Sequence, residues 1–312
     1  MTVVYLSSPI GCFEPNEEQV RRFEALLPAA ARPVRLCSTE AEFLGALPSA
    51  ETAVVWTFRQ EWFELAPALR HVCTPAAGRD YFRVVPPPRV TLHYGSFHGA
   101  IMAETALGAM LSMAHGLLPF ADGMRGAGGG WPRLEMDLHG RRVAGSTVVV
   151  LGCGRIGTSL ARLAATLGAR VIGVTRTPRP AEPGIERVGT DQLDNVLPLA
   201  DHLVCFLPSG AETDRILDAR RLALLRPTCY LYNFGRGNAI DESALAEALC
   251  ARRLGGAVLD VFREEPLPAD SPLRTAPKCF LYPHASAFAP EYLDLYFKEL
   301  AAEMEGWGAP LS

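Results

Sequence analysis

The chain is poor in lysine: of its 30 basic residues only Lys278 and Lys298 are lysines, and the rest are arginines. Acidic residues number 34, the formal net charge is -4, and no basic block stands out. That balance argues against a general affinity for nucleic acid or for an anionic membrane surface. Among eight cysteines no two have CxxC spacing, and the chain is far too long to need a disulfide framework. They read as reduced thiols of a cytoplasmic protein. The seven histidines include no HExxH pair, and His93 and His98 do not have helical ligand spacing, so no metal site is expected. No GxSxG elbow is present either. The opening "MTVVYLSSPIG" lacks the basic start of a signal peptide and reads as a first strand. The longest apolar stretch, residues 99 to 121, is interrupted by Glu104 and His115. An isolated charge in lipid is costly, so this stretch reads as one long buried helix.

What the chain does have is a series of short apolar runs. Its 312 residues favour two domains. "TVVYL", "AVVWTF" and "HVCTPAA" read as strands of a first α/β unit. After the apolar helix comes the flexible, glycine-rich "GMRGAGGGW". A second series then begins, with "STVVVLG", "RVIGVT", "HLVCFLP", "CYLYNF", "GGAVLDVF" and "CFLYP". These runs are rich in β-branched and aromatic residues, lack polar alternation, and are separated by helix-length segments. Strands covered by helices on both faces have this composition, which predicts a doubly wound parallel sheet.

Between the first two runs of the second series, Gly152, Gly154 and Gly157 stand in GxGxxG spacing. The bare pattern often marks only a turn. Here it follows a strong strand, opens an amphipathic helix and leads to another strand, the context in which it acts as a dinucleotide-binding (Rossmann) loop. Gly152 permits the turn, Gly154 lets backbone approach a pyrophosphate, and Gly157 lets helix and strand pack closely. The first helical turn at Arg155 and Ile156 then faces the phosphates with unpaired N–H groups.

In an NAD-binding unit an acid about 20 residues past the glycines grips the ribose 2′-hydroxyl. Here Thr175, Arg176 and Thr177 hold that place, with Arg179 just beyond. A hydroxyl and a guanidinium suit the 2′-phosphate of NADP, so NADP(H) is the expected preference, with Arg176 as main clamp. The other reading leaves both arginines on a solvated loop and NAD(H) accepted as well.

Three later segments put polar groups at strand ends, where doubly wound folds bind ligands. Arg236 lies between two glycines in "NFGRGN". Asp260 falls inside an apolar strand and is followed by Glu264, Glu265 and Pro266. His284 follows a strand and a proline in "YPHASA". Together with a dinucleotide loop these groups suit reduction of a carbonyl beside a carboxylate. Arg236 would bind the carboxylate, His284 would give the oxygen its proton, and Glu265 would hold the imidazole.

At this point the chain resembles the D-isomer-specific 2-hydroxyacid dehydrogenases over nearly its whole length. The likeness is strongest in "VVVLGCGRIG", "NFGRGNAIDESAL", "GAVLDVFREEPLPADSPL" and "YPHASA". It implies a Rossmann cofactor domain at 99–286. It also implies a smaller, flavodoxin-like substrate or lid domain, from 1–98 plus 287–312. The family's catalytic arginine, glutamate and histidine fall on Arg236, Glu265 and His284, and its nicotinamide-contacting aspartate on Asp260. Leu207, Pro208 and Thr213 match the loop along the cofactor, with Phe234 and Gly235 beside them. Ala77 and Gly78 match the segment whose backbone amides cradle the substrate carboxylate, although alone they read equally well as a strand-end turn. Trp56 would lie near the pocket wall, although a Trp after two valines is more often core. The implied function is an NAD(P)H-dependent reductase of small 2-keto acids to D-2-hydroxy acids, working as a homodimer. Glyoxylate and hydroxypyruvate are the first candidates, and phenyl- or branched-chain keto acids remain open. Formate dehydrogenases share the fold but pair Gln with His, where this chain has Glu265. The alternative is a dinucleotide-sensing, corepressor-like interaction protein without significant turnover.

The departures from the family pattern are Arg79, where an aliphatic residue is common, and the missing acid at Thr175–Arg176. Arg79 either meets a second acidic group on the substrate or points to solvent, and His98 reads as structural. Cys153, inside the glycine loop, reads as packing, with a thiol reagent there expected to block the cofactor.

Overall fold

The computed structural model describes residues 1–125, 142–177, 180 and 182–307. Most of the glycine-rich segment and Arg179 lie outside the described residues. The chain divides into two compact units. One is Gly99–Ala287; the other is Met1–His98 with the chain from Phe288 onward.

In the first unit five strands are described: β1 (Thr2–Tyr5), β2 (Val34–Leu36), β3 (Thr52–Val55), β4 (His71–Thr74) and β5 (Thr91–Tyr94). They pair in parallel in the order β2-β1-β3-β4-β5, the flavodoxin-like arrangement. Strand β3 is buried at all four positions because side chains cover both of its faces. Phe43, Leu47, Trp62 and Leu69 fill the core on one face. The helices Glu17–Leu26 and Tyr292–Glu305 pack together through Phe23 stacked on Phe297, 4.6 Å between ring centres. The polar-mixed edge strands β2 and β5 are not apparent in the sequence, because a half-exposed edge needs no continuous apolar run.

The second unit carries β6 (Thr147–Leu151), β7 (Arg170–Thr175), β8 (Ile185–Gly189), β9 (His202–Cys205), β10 (Tyr230–Asn233), β11 (Gly256–Leu259) and β12 (Cys279–Leu281). They form a parallel sheet in the order β12-β11-β10-β9-β6-β7-β8. This is the expected doubly wound sheet, and its order reverses between β6 and β9, the place where such folds bind ligands. One core lies on each face of it. Burial pushes the Cys205 thiol up to about 12, which suits a packing residue rather than a reactive one.

The long apolar helix expected over residues 99–121 is two helices. Gly99–Ala114 buries Met102, Ala106, Met110 and Met113 on one stripe. It ends before Gly116, whose φ of 73° is left-handed and stops the helix, and Leu117–Arg125 continues after a 65° bend. Among the described residues no single helix is long and apolar enough to cross a membrane.

Candidate active site

The glycine loop joins β6 to the helix Arg155–Thr166. Gly152 has φ 87°, and a Cβ there would come within 2.9 Å of the Phe206 backbone. A Cβ on Gly157 would meet Gly152 O at 2.6 Å and Val150 Cγ1 at 2.9 Å. Both must therefore be glycine for the turn to sit on the sheet. At Gly154 the nearest atom to such a Cβ is 3.9 Å away, so this residue is not required by packing. It leaves open space at the N-terminus of a twelve-residue helix, where Arg155, Ile156 and Gly157 have no carbonyl one turn earlier to bond. A bare backbone facing open space at a helix N-terminus fits a dinucleotide pyrophosphate.

A cavity of about 320 Å³ opens at this loop. It brings together Gly152, Gly154, Thr175, Arg176, Thr177, Leu207, Pro208 and Thr213 from the expected cofactor set, with Glu212 and Thr190 besides. Thr213 is buried, and its hydroxyl donates to Pro208 O at 2.8 Å and lies 3.0 Å from Gly210 O, which pins the loop after β9. Phe234 and Gly235, also expected at the cofactor, do not line this cavity. The Phe234 side chain is 2% exposed and faces Phe206 within the core, so its ring offers no contact surface. Gly235 is pressed against the Leu207 backbone. Cys153 lines the cavity but is fully buried, with its sulfur against Gly173, which suits a packing residue.

Asp260, the expected nicotinamide contact, stands at the end of β11. It is fully buried, and its carboxylate accepts from Ala285 N–H at 2.7 Å and Ser286 N–H at 3.1 Å. Its carbonyl accepts from His284 N–H at 2.8 Å. His284 has φ 53°, a left-handed conformation costing about 1–3 kcal/mol in a residue with a side chain. Asp260 thus holds the strained turn that presents His284. The buried charge is matched by two backbone donors on that same turn.

The His284 ring meets Glu265, with Nδ1 to Oε2 at 2.7 Å. The other carboxylate oxygen of Glu265 accepts from Phe262 N–H at 2.9 Å. Glu265 is therefore fixed at both oxygens, and a carboxylate facing Nδ1 places the ring proton on Nδ1. Nε2 is left to exchange a proton elsewhere, from a ring whose side chain is 41% exposed. Both residues line an apolar cavity of about 550 Å³ with Phe262, Leu267, Tyr282 and Pro283. Glu264 is exposed beside them.

Arg236 leaves the end of β10 on a turn built by Asn233, a residue that sequence reasoning missed. Asn233 Oδ1 accepts from Gly235 N–H and its Nδ2 donates to Arg236 O, both at 3.1 Å. A side chain on Gly237 would run into the Phe262 backbone. Gly237 therefore lets the turn after Arg236 lie directly on the segment that holds Glu265. One guanidinium nitrogen donates to Gly235 O at 2.9 Å. The signal for Asn233 was its place two residues before Gly235, where an Asn commonly bonds its own turn.

In the first unit Ala77 is exposed and Gly78 half-exposed, directly after β4. Thr74 Oγ1 accepts from Ala76 N–H and donates to Trp56 O, both at 3.3 Å, tying that loop to the end of β3. The Trp56 indole N–H donates to Phe13 O at 3.2 Å, and its ring packs against Phe13 and Tyr292. His98 is buried, with Nε2 2.9 Å from the Tyr292 hydroxyl, and Arg79 is exposed. Phe13 and Tyr292 complete this aromatic group without any spacing that would have revealed them.

Residues 107–286 match the model of the D-isomer specific 2-hydroxyacid dehydrogenase NAD binding domain. The chain belongs to this family. As a family member it is an NAD(P)-dependent dehydrogenase. It is 32% identical over 291 residues to glyoxylate/hydroxypyruvate reductase B of Yersinia pestis (strain Pestoides F), covering 90% of this chain and 86% of that one. A solved D-isomer specific 2-hydroxyacid dehydrogenase from Xanthobacter autotrophicus Py2, in complex with NADPH and MES, is similar at a TM-score of 0.78 and 28% identity. That match covers 99% of this chain and 96% of the other. An NADPH-dependent glyoxylate/hydroxypyruvate reductase from Sinorhizobium meliloti, in complex with NADP and sulfate, gives 0.77 and 27%, over 100% and 96% of the two chains.

Proposed function

We propose that this dehydrogenase reduces small 2-keto acids of the glyoxylate and hydroxypyruvate type to D-2-hydroxy acids and prefers NADP(H) to NAD(H). The observation that carries the reading is the Glu265–His284 pair. It is an imidazole fixed on one nitrogen by a carboxylate and held on a strained turn at a strand end of a dinucleotide fold. A nicotinamide dinucleotide, when bound, supplies the hydride. His284 Nε2 gives a proton to the keto oxygen during reduction and takes it back during oxidation. Glu265 keeps the Nδ1 proton in place through both directions. The Arg236 guanidinium binds the substrate carboxylate and polarises the carbonyl. Gly152, Gly154 and the first turn at Arg155–Gly157 hold the pyrophosphate.

The NADP preference is supported by the lack of an acid at the end of β7, where Thr175, Arg176 and Thr177 line the cavity instead. The NADPH- and NADP-bound relatives agree with it. The family likeness further suggests a homodimer working in the cytoplasm. The test is a screen of glyoxylate, hydroxypyruvate, phenylpyruvate and branched-chain keto acids with both cofactors. The expected result is the highest kcat/KM with glyoxylate or hydroxypyruvate and roughly tenfold or greater preference for NADPH. Best turnover with a large keto acid would overturn the substrate assignment, and a clear NADH preference would overturn the cofactor assignment.

A further inference from the structure

Arg176 is already engaged. Its guanidinium forms an ion pair with Glu212, a residue on the loop that follows β9. Both side chains line the cavity at the glycine loop, one from the end of β7 and the other from across it. The pair therefore spans the cavity opening next to Thr175 and Thr177. Its two side chains are 73% and 63% exposed, so water screens it and the attraction is weak and easily exchanged. The loop carrying Glu212 is itself fixed, because the neighbouring Thr213 is buried and bonded to Pro208 and Gly210.

We infer that Glu212 is a specificity-determining residue that works against the 2′-phosphate of NADP(H) and so narrows the margin by which that cofactor is preferred over NAD(H). The inference rests on the NADP reading above. A ribose 2′-phosphate carries close to two negative charges at neutral pH. To meet Arg176 it must share the guanidinium with Glu212 or displace it, and in either case sit within a few ångströms of that carboxylate. Both effects weaken NADP(H) binding. Neither acts on a plain 2′-hydroxyl, which carries no charge and leaves the ion pair intact. The chain thus lacks the acid at the end of β7 but keeps one facing the same place from another loop, where GxGxxG spacing does not reveal it.

The experiment is the measurement of dissociation constants for NADPH and NADH by titration calorimetry, on the wild type, Glu212→Gln and Arg176→Ala. Each is measured at low ionic strength and again at about 0.3 M salt. Glu212→Gln keeps the size and exposure of the side chain and removes its charge. It is expected to tighten NADPH by about three- to tenfold at low salt while NADH changes by less than about twofold, with the gain shrinking as salt rises. Unchanged or weaker NADPH binding in Glu212→Gln would overturn the inference, as would an equal gain for NADH. Arg176→Ala separates the two claims. If it leaves the NADPH to NADH ratio at the wild-type value, the NADP reading falls and the inference falls with it. If it lowers the ratio while Glu212→Gln gains nothing, only the inference falls.

Discussion

Replacing His284 with Ala should lower kcat by about 10²- to 10⁴-fold while the dissociation constant for NADPH stays within about threefold of the wild type. The chemical step loses its proton donor, whereas the glycine loop and the cavity beside it are built from other strands. The backbone at residue 284 complicates this substitution, because φ is 53° there and Ala tolerates the left-handed region less well than His does. Asn adopts that region readily and cannot take the proton on or off. His284→Asn should therefore reproduce the loss of kcat with the fold intact. Single-turnover rates together with cofactor titration check both variants. Turnover in either variant within about threefold of the wild type would remove His284 from the chemistry.

Arg236→Ala should cost at least about 10³-fold in kcat/KM, divided between a higher KM for the keto acid and a lower kcat. The division follows from the two tasks given to one guanidinium, which are to hold the carboxylate and to stabilise charge on the carbonyl oxygen. Arg236→Lys keeps the charge but loses the planar fork that pairs with a carboxylate through two parallel bonds, so it should recover only a small part of the loss. Steady-state kinetics across a range of keto acid concentrations measures the division. Full recovery by Lys would mean that a point charge is enough. A loss confined to NADPH affinity would place Arg236 in the cofactor site instead.

The sheets were legible in the sequence wherever burial on both faces forced a continuous apolar run, as in β6, β9 and β10. The edges were not. β2, β5 and β8 mix polar with apolar residues because one side or one end of each faces water. The single helix expected over residues 99–121 failed at Gly116, since a glycine inside an apolar stretch does not reveal its φ. At the site, Arg236, Glu265 and His284 could be named because each sits at the end of a readable strand. Glu265 and His284 then meet at 2.7 Å across 19 residues of sequence. Phe13 and Tyr292 act through contacts made only when the chain has folded, and no periodicity marks them; Asn233 was marked only by its place before Gly235. Asp260 was read as a cofactor contact from the family pattern. Its burial and its bonds to Ala285 and Ser286 show what a buried acid in an apolar strand requires, which is backbone donors close enough to satisfy it.

The most direct test of the central claim is a crystal structure of the protein with NADPH and an unreactive 2-keto acid analogue such as oxamate. The account predicts His284 Nε2 within about 3.2 Å of the oxygen that mimics the keto group, and the Arg236 guanidinium within the same reach of the analogue's carboxylate. Glu265 should remain on Nδ1. An analogue bound beside the nicotinamide with either side chain turned away from it would contradict the account.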